Sequence, residues 1–163
     1  MKRVILLAVI LLLSVVFAAA AEPDYKPLVD DINIFNGMYQ APKFDASTAT
    51  ISQTDSYKWT ASLKSDDPNI DLMLSSADGD NISSVLCICN DESSMTDYIA
   101  CCCAIASEYR ETLGIIEPYG YILYNYMMCR AGQESTPLKA NDGTLCALRH
   151  DNWRYIMMIV FPS

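Results

Sequence analysis

Residues 57–89, YKWTASLKSDDPNIDLMLSSADGDNISSVLCIC, decide the fold class of this 163-residue chain. Apolar and polar side chains alternate over 57–64 and again over 70–75, which is the period of a strand with one buried face. Residues 82–89 predict a third strand. Two short connections rich in turn-forming residues separate the strands, at 66–69 and 78–81. Connections this short predict an antiparallel meander.

The period changes after the third predicted strand. Ser94 and Asp97 have the spacing of a helix-capping box. Apolar residues then recur at helical spacing, at Tyr98, Cys102, Ile105, Tyr109 and Leu113. Gly114 is a typical residue to end a helix. The pattern predicts one amphipathic helix of about five turns.

Residues 121–130 are expected to return to extended structure. Pro118 and Gly120 precede them, and the segment is rich in residues that favour β-strands. Alternation would place four apolar or aromatic side chains on one face, those of Ile122, Tyr124, Tyr126 and Met128. The sequence therefore predicts a strand directly after the helix.

Two further strands are predicted near the C-terminus, at 144–149 and 153–161, around a turn at 150–152. Residues 155–161 are nearly all apolar, which is typical of a central strand with both faces covered. The predicted order is β-β-β-α-β-β-β. We expect an α+β fold, with a twisted antiparallel sheet of five or six strands and one long amphipathic helix packed on one face.

The segment before this predicted domain has a different character. Three prolines interrupt residues 22–56, Asn36-Gly37 is a turn signal, and residues 45–56 are almost entirely small or polar. We expect residues 22–56 to be an N-terminal arm that lies against the domain, followed by a linker. Residues 57–163 are then a single α+β domain.

The first 21 residues have the layout of a secretory signal peptide. Lys2 and Arg3 precede an apolar run over 4–17, and Ala19-x-Ala21 is a typical cleavage site. The run is shorter than the roughly 20 residues that cross a bilayer comfortably, and no later segment is longer. We expect a soluble, extracytoplasmic protein, periplasmic or secreted, that begins near Glu22 and carries no lipid.

Cleavage at this position makes the protein strongly acidic. Nine basic residues remain against 20 acidic ones, so the net charge becomes −11. Such a charge repels phosphate backbones and excludes nucleic acid as an expected partner. It is compatible with a cationic ligand, and it also keeps an exported protein soluble.

All seven cysteines follow the predicted cleavage site, and an odd number leaves at least one thiol unpaired. Export favours disulfides, and a bridge between helix and sheet is geometrically reasonable. The disulfide candidates are Cys87, Cys89, Cys102, Cys103, Cys129 and Cys146. Alternatively, the cysteines are small buried hydrophobic residues with few or no bridges. The spacings C-x-C and C-C-C do not converge on one ion, so neither a metal nor another cofactor is expected.

One combination of residues would permit thiol chemistry. His150 is the only histidine, so any cysteine–histidine mechanism must use it. On the predicted helix Cys101 lies opposite the apolar stripe and is expected to be accessible, whereas His150 is expected in a surface turn. An exported thiol-dependent enzyme that uses Cys101 with His150 is the alternative function. The sequence contains no P-loop, dinucleotide fingerprint or G-x-S-x-G elbow.

Aromatic residues with a polar tip gather in the C-terminal third and are typical of both binding surfaces and half-buried strands. The candidates for a binding surface are Tyr121, Tyr124, Tyr126, Trp153 and Tyr155. We expect such a surface on the sheet face opposite the helix. The favoured function is a small, exported, non-enzymatic domain that binds a protein, peptide or envelope component. A purely structural role in the envelope is a third hypothesis.

Overall fold

The computed structural model describes residues 24–151 and 153–162. Within these residues the chain forms four α-helices and seven β-strands. The helices are α1 (Lys26–Tyr39), α2 (Met95–Glu108), α3 (Arg110–Leu113) and α4 (Pro118–Arg130). The strands are β1 (Thr50–Ser52), β2 (Trp59–Lys64), β3 (Ile70–Ser76), β4 (Ser84–Cys89), β5 (Leu138–Lys139), β6 (Leu145–Asp151) and β7 (Arg154–Val160). The predicted signal peptide lies outside the described residues.

The described strands form one antiparallel sheet in the order β1-β2-β3-β4-β7-β6-β5. The predicted α+β class and the meander of β2, β3 and β4 are confirmed. Strand β7 lies between β4 and β6, as predicted for the apolar C-terminal run. The expectation of five or six strands was too low, because the short strands β1 and β5 extend the sheet at its two edges.

Helices cover one face of this sheet, which we call the helix face. Its central row runs through Leu63, Leu72, Cys87, Met157 and Leu148, and every member is buried. Helix α2 lies over β4, α4 lies over β6, and α1 packs beside α2. The alternate side chains point to the second face, which we call the open face. It is centred on half-buried apolar residues, namely Met73, Leu86, Ile88, Ile156, Met158 and Val160.

Helix α4 replaces the strand predicted over 121–130, so that prediction was wrong. Pro118 lies in the first turn of the helix, where its missing N–H leaves no hydrogen bond unmade. The carboxylate of Glu117 accepts a hydrogen bond from the N–H of Gly120 and caps this end. The buried residues Ile122, Asn125 and Cys129 recur at helical spacing. Aromatic residues at alternate positions hid this stripe from sequence reading.

Helix α1 and strand β1 occupy part of the segment expected to be an arm and a linker. Pro27 again lies in the first helical turn, where it favours a helix rather than interrupting one. Val29, Ile32 and Asn36 form its buried stripe. The predicted turn at Asn36-Gly37 was therefore wrong, because both residues lie inside the helix. This segment contributes to the main core instead of only lying against it.

The single long helix predicted after the meander is divided into α2 and α3 at Tyr109. The side chain of Ser94 caps no helix; instead Asp91 accepts from the N–H of Ser93 in the short 3₁₀ turn before α2. Residues 101–107 of α2 are buried without interruption. The prediction that Cys101 faces outward was therefore wrong. Helix α1 covers the side of α2 that looked exposed in the sequence.

Candidate binding site at the edge of strand β6

A groove of about 530 Å³ runs along the outer edge of β6. Strand β5 pairs with β6 only at Leu145 and Cys146. Beyond Cys146, no strand of the described structure lies beside this edge. Residues 132–135, which follow α4, form the opposite wall of the groove. The volume lies within the range of pockets that hold small ligands or single peptide side chains.

The backbone of β6 points into this groove at alternate residues. The hydroxyl of Tyr121 donates to the carbonyl of Cys146 at 3.0 Å, and the hydroxyl of Ser135 donates to the carbonyl of Leu148. Both donors stand on the groove side. Because the N–H and C=O of one residue in an antiparallel strand point the same way, the backbone of Leu148 and His150 faces the groove.

A buried amide holds the opposite wall in place. Asn125 of α4 is fully buried, and its Nδ2 donates to the carbonyl of Tyr121 at 2.9 Å. Its Oδ1 accepts from the backbone N–H of Thr136 at 2.8 Å. Since a buried amide that loses a partner costs free energy, these bonds fix the loop after α4 relative to the helix. The groove is therefore bounded by two anchored walls.

His150 connects the groove to a second cavity of about 380 Å³, which Asn90, Asp91, Glu92 and Trp153 also line. The imidazole stacks on the ring of Tyr155, with centroids 4.3 Å apart and planes 19° from parallel. His150 lies in β6 and not in the predicted turn at 150–152. The reason is that pairing between β6 and β7 continues to Asp151 and Arg154.

The structure brings some of the predicted aromatic residues together and separates others. The rings of Tyr126 and Tyr155 are 5.5 Å apart on the helix face, and burial raises the pKa of Tyr155. Trp153 is 56% exposed, with the guanidinium of Arg154 4.3 Å from its ring centroid. Tyr121 is tied to the carbonyl of Cys146, and Tyr124 is exposed on α4. The set therefore does not form one surface opposite the helices.

The seven cysteines are free, buried thiols in this structure. Burial raises the pKa of Cys87 of β4 well above its ordinary value, and the neighbouring thiol of Cys102 of α2 raises it further. Burial also raises the pKa of Cys103 and of Cys146 to about 12. This arrangement fits the interpretation of cysteine as a small hydrophobic residue. Disulfide pairing of the six candidates stays a prediction.

The proposed catalytic pair is not assembled in the described structure. The thiol of Cys101 is directed at the carbonyl of Pro42, 3.6 Å away, and burial raises its pKa. A raised pKa disfavours the thiolate that a nucleophile requires. His150 instead contacts Tyr155, and no hydrogen bond joins it to Cys101. The geometry gives the thiol-dependent alternative no support.

Sequence reasoning missed the groove because it depends on two elements that were assigned wrongly. His150 was expected in a turn, and residues 132–136 were expected to follow a strand. One local signal was available. Gly132 has φ +72°, and a glycine just beyond the last turn is a common mark of a helix end, which would have indicated α4.

The described residues contain neither a metal-binding cluster nor a membrane-spanning helix. No group of three or more His, Cys, Asp or Glu side chains is placed to hold a metal ion. None of the described helices has both the length and the apolar character that crossing a membrane requires. Comparison with known proteins found no matching family model, curated protein or solved structure.

Proposed function

We propose that the protein is an exported, non-enzymatic binding domain that takes up an extended, positively charged peptide segment along the edge of β6. The observation that carries this proposal is the open backbone edge of β6 beside the groove. An extended peptide can add to such an edge as a further strand, with main-chain hydrogen bonds for affinity and side-chain pockets for specificity. His150 and the N–H of Leu148 offer the backbone groups for this addition, whereas the carbonyl of Leu148 already accepts from the hydroxyl of Ser135.

The charge around the groove favours a basic segment. Glu134 lines the groove itself, and Asp91 and Glu92 line the cavity that His150 shares with it. Arg149 is the basic residue of the lining, but alternation along β6 directs its side chain to the open face. The net charge of −11 expected after cleavage adds long-range attraction for cations.

The aromatic residues at the end of the groove suit the side chains of such a segment. Trp153 presents an exposed ring that already holds the guanidinium of Arg154. His150 lines both cavities, and its ring stacks on that of the buried Tyr155. A lysine or arginine of the ligand would bind at the ring of Trp153 by cation–π contact and near Glu92, both of which line the second cavity.

The proposal is tested with synthetic peptides of alternating sequence, acetyl-(Val-Lys)₃-amide and acetyl-(Val-Glu)₃-amide, by isothermal titration calorimetry. We expect only the lysine peptide to bind. Methylation of its backbone nitrogens at one set of alternate residues should abolish binding, and methylation at the other set should not, because only one side of an added strand contacts β6. Equal binding of both peptides, or indifference to N-methylation, would refute the proposal.

A pair of variants tests the acidic rim. Glu92→Gln combined with Glu134→Gln should weaken binding of the lysine peptide about fivefold, as expected for two exposed charge contacts. Glu111→Gln is the matched control, because Glu111 is an exposed carboxylate on α3 that lines neither the groove nor the second cavity. If the double variant and Glu111→Gln weaken binding equally, local recognition by this rim is excluded.

A further inference from the structure

We infer that the open face of the sheet is the interface of a homodimer in which two copies of this chain pack face to face. The inference does not depend on the proposed function, because it rests on the open face and not on the groove at the sheet edge. Its starting point is the apolar run over 155–161. The sequence predicts cover on both faces of that strand, whereas helices cover only one face in the described structure.

The open face carries an apolar patch four strands wide. Three neighbouring rows cross β3, β4, β7 and β6 in register. The rows are Asp71–Ile88–Ile156–Arg149, Met73–Leu86–Met158–Ala147 and Ser75–Ser84–Val160–Leu145. The apolar members cluster around the boundary between β4 and β7. Most of these side chains are half-buried, so part of their apolar surface is still in contact with water.

The patch is large enough for an interface. Four strands and three rows span roughly 15 to 20 Å in each direction. Residues of β2 and β5 on the same face extend this area towards the roughly 800 Å² per partner of a standard interface. Apolar patches of this size are among the largest found on soluble proteins and are often functional.

The patch is complementary to itself, which identifies the partner as a second copy. A two-fold axis parallel to the strands, between β4 and β7, places β3 of one copy over β6 of the other. Asp71 then meets Arg149 of the second copy, and the contact occurs twice. The same operation sets the long side chain of Met73 against the short one of Ala147. Packed sheets place their inner faces together in this way.

Asp71 is already oriented for this contact. Its Oδ1 accepts from the ammonium of Lys64 at 2.7 Å, and its Oδ2 accepts from the amide of Asn90 at 3.0 Å. These bonds hold the carboxylate on the open face before any partner arrives. A preoriented charge loses less conformational entropy when it binds.

The first test is the molar mass of the processed chain by sedimentation equilibrium. A chain that starts at Glu22 contains every described residue and lacks the apolar run over 4–17. We expect a dimer that dissociates on dilution. Met158→Lys should give a monomer, and Met127→Lys should not, because Met127 is exposed on α4. Circular dichroism confirms folding of each variant; if Met158→Lys does not fold, Ile156→Lys replaces it.

Charge reversal tests the axis itself. Asp71→Arg and Arg149→Asp should each weaken the dimer roughly tenfold, and the double variant should recover most of this loss because both contacts are then reversed. A wild-type chain that stays monomeric at high concentration refutes the inference. This holds also if the monomer binds anionic lipid vesicles, because the open face would then contact lipid and not a second copy. The inference is also refuted if Met158→Lys has the molar mass of the wild-type dimer, or if the dimer of the double variant is weaker than that of either single variant.

Discussion

The two faces of the sheet are built from alternate residues of the same strands, but they differ in what covers them. On the helix face Leu72 and Met157 are completely buried. One residue further along the same strands, Met73 and Met158 are half-buried on the open face. All four side chains are apolar. The comparison shows that apolar side chains on both faces of a strand make burial of either face favourable. Which of the two faces is buried within the chain depends on where the helices pack.

The largest expected effect is a difference in stability between alanine variants of two leucines on neighbouring strands, one on each face of the sheet. Leu72→Ala empties space on the helix face, so we expect it to lower the free energy of unfolding by about 3 kcal/mol. Leu86→Ala removes the same atoms from the open face and should cost less than about 1 kcal/mol in the monomer. Urea unfolding at low protein concentration measures both. Equal losses would mean that the open face is covered as fully as the helix face.

The second effect comes from pH, because thiols are confined to the helix side of the molecule. Burial raises the folded-state pKa of Cys103 and Cys146 from 9.0 to about 12. The unfolded thiols ionise near pH 9 while the folded ones keep their protons. Stability is therefore complete below about pH 9 and falls as pH rises towards about 12, by about 1.4 kcal/mol per pH unit for each thiol.

Urea unfolding of the reduced protein, measured from pH 8 to pH 10, would show this decline. The control is Cys146→Ala, which should be less stable at neutral pH but should lose stability less steeply above pH 9. A free energy of unfolding that stays constant over this range would show that the two thiols are not buried in solution.

A smaller effect is expected at the groove wall that residues 132–135 form after α4. Asn125→Ala leaves the N–H of Thr136 and the carbonyl of Tyr121 without their side-chain partner. We expect a loss of about 1 to 2 kcal/mol. Hydrogen exchange should become faster in residues 132–136, whereas exchange in β2 and β3 should stay unchanged. Faster exchange throughout the sheet would instead indicate general destabilisation.

The smallest effect concerns the two tryptophans. Trp59 is buried, and its Nε1 donates to the carbonyl of Gly79 at 2.9 Å, whereas Trp153 is exposed. Trp153→Phe should change the free energy of unfolding by less than about 0.5 kcal/mol. Iodide should quench the fluorescence of Trp59→Phe, which retains the exposed tryptophan, far more than that of Trp153→Phe. Similar quenching of both variants would show that Trp153 is shielded from solvent, as it would be by a partner bound at this end of β7.

Much of the sheet could be predicted because its information is local. Alternation over 57–64 and 70–75 gave β2 and β3, and short turns gave their antiparallel pairing. The apolar run over 155–161 gave a central strand. The candidate site was predicted only in part. Trp153 lines the second cavity and Tyr155 contacts His150, but the roles of His150, Ser135 and Asn125 depend on elements that are distant in sequence.

By itself, the sequence determined the α+β class, the antiparallel meander, the helical segment after it and the acidic charge, because each follows from the spacing or number of residue types. The tertiary structure decided what no local pattern contains. It placed α1 over Cys101 and turned 118–130 into a helix above β6. Among the described residues, it left part of one edge without a neighbouring strand and one face of the sheet without a covering helix. These outcomes depend on packing between distant segments, which overrides weak local preferences for strand or turn.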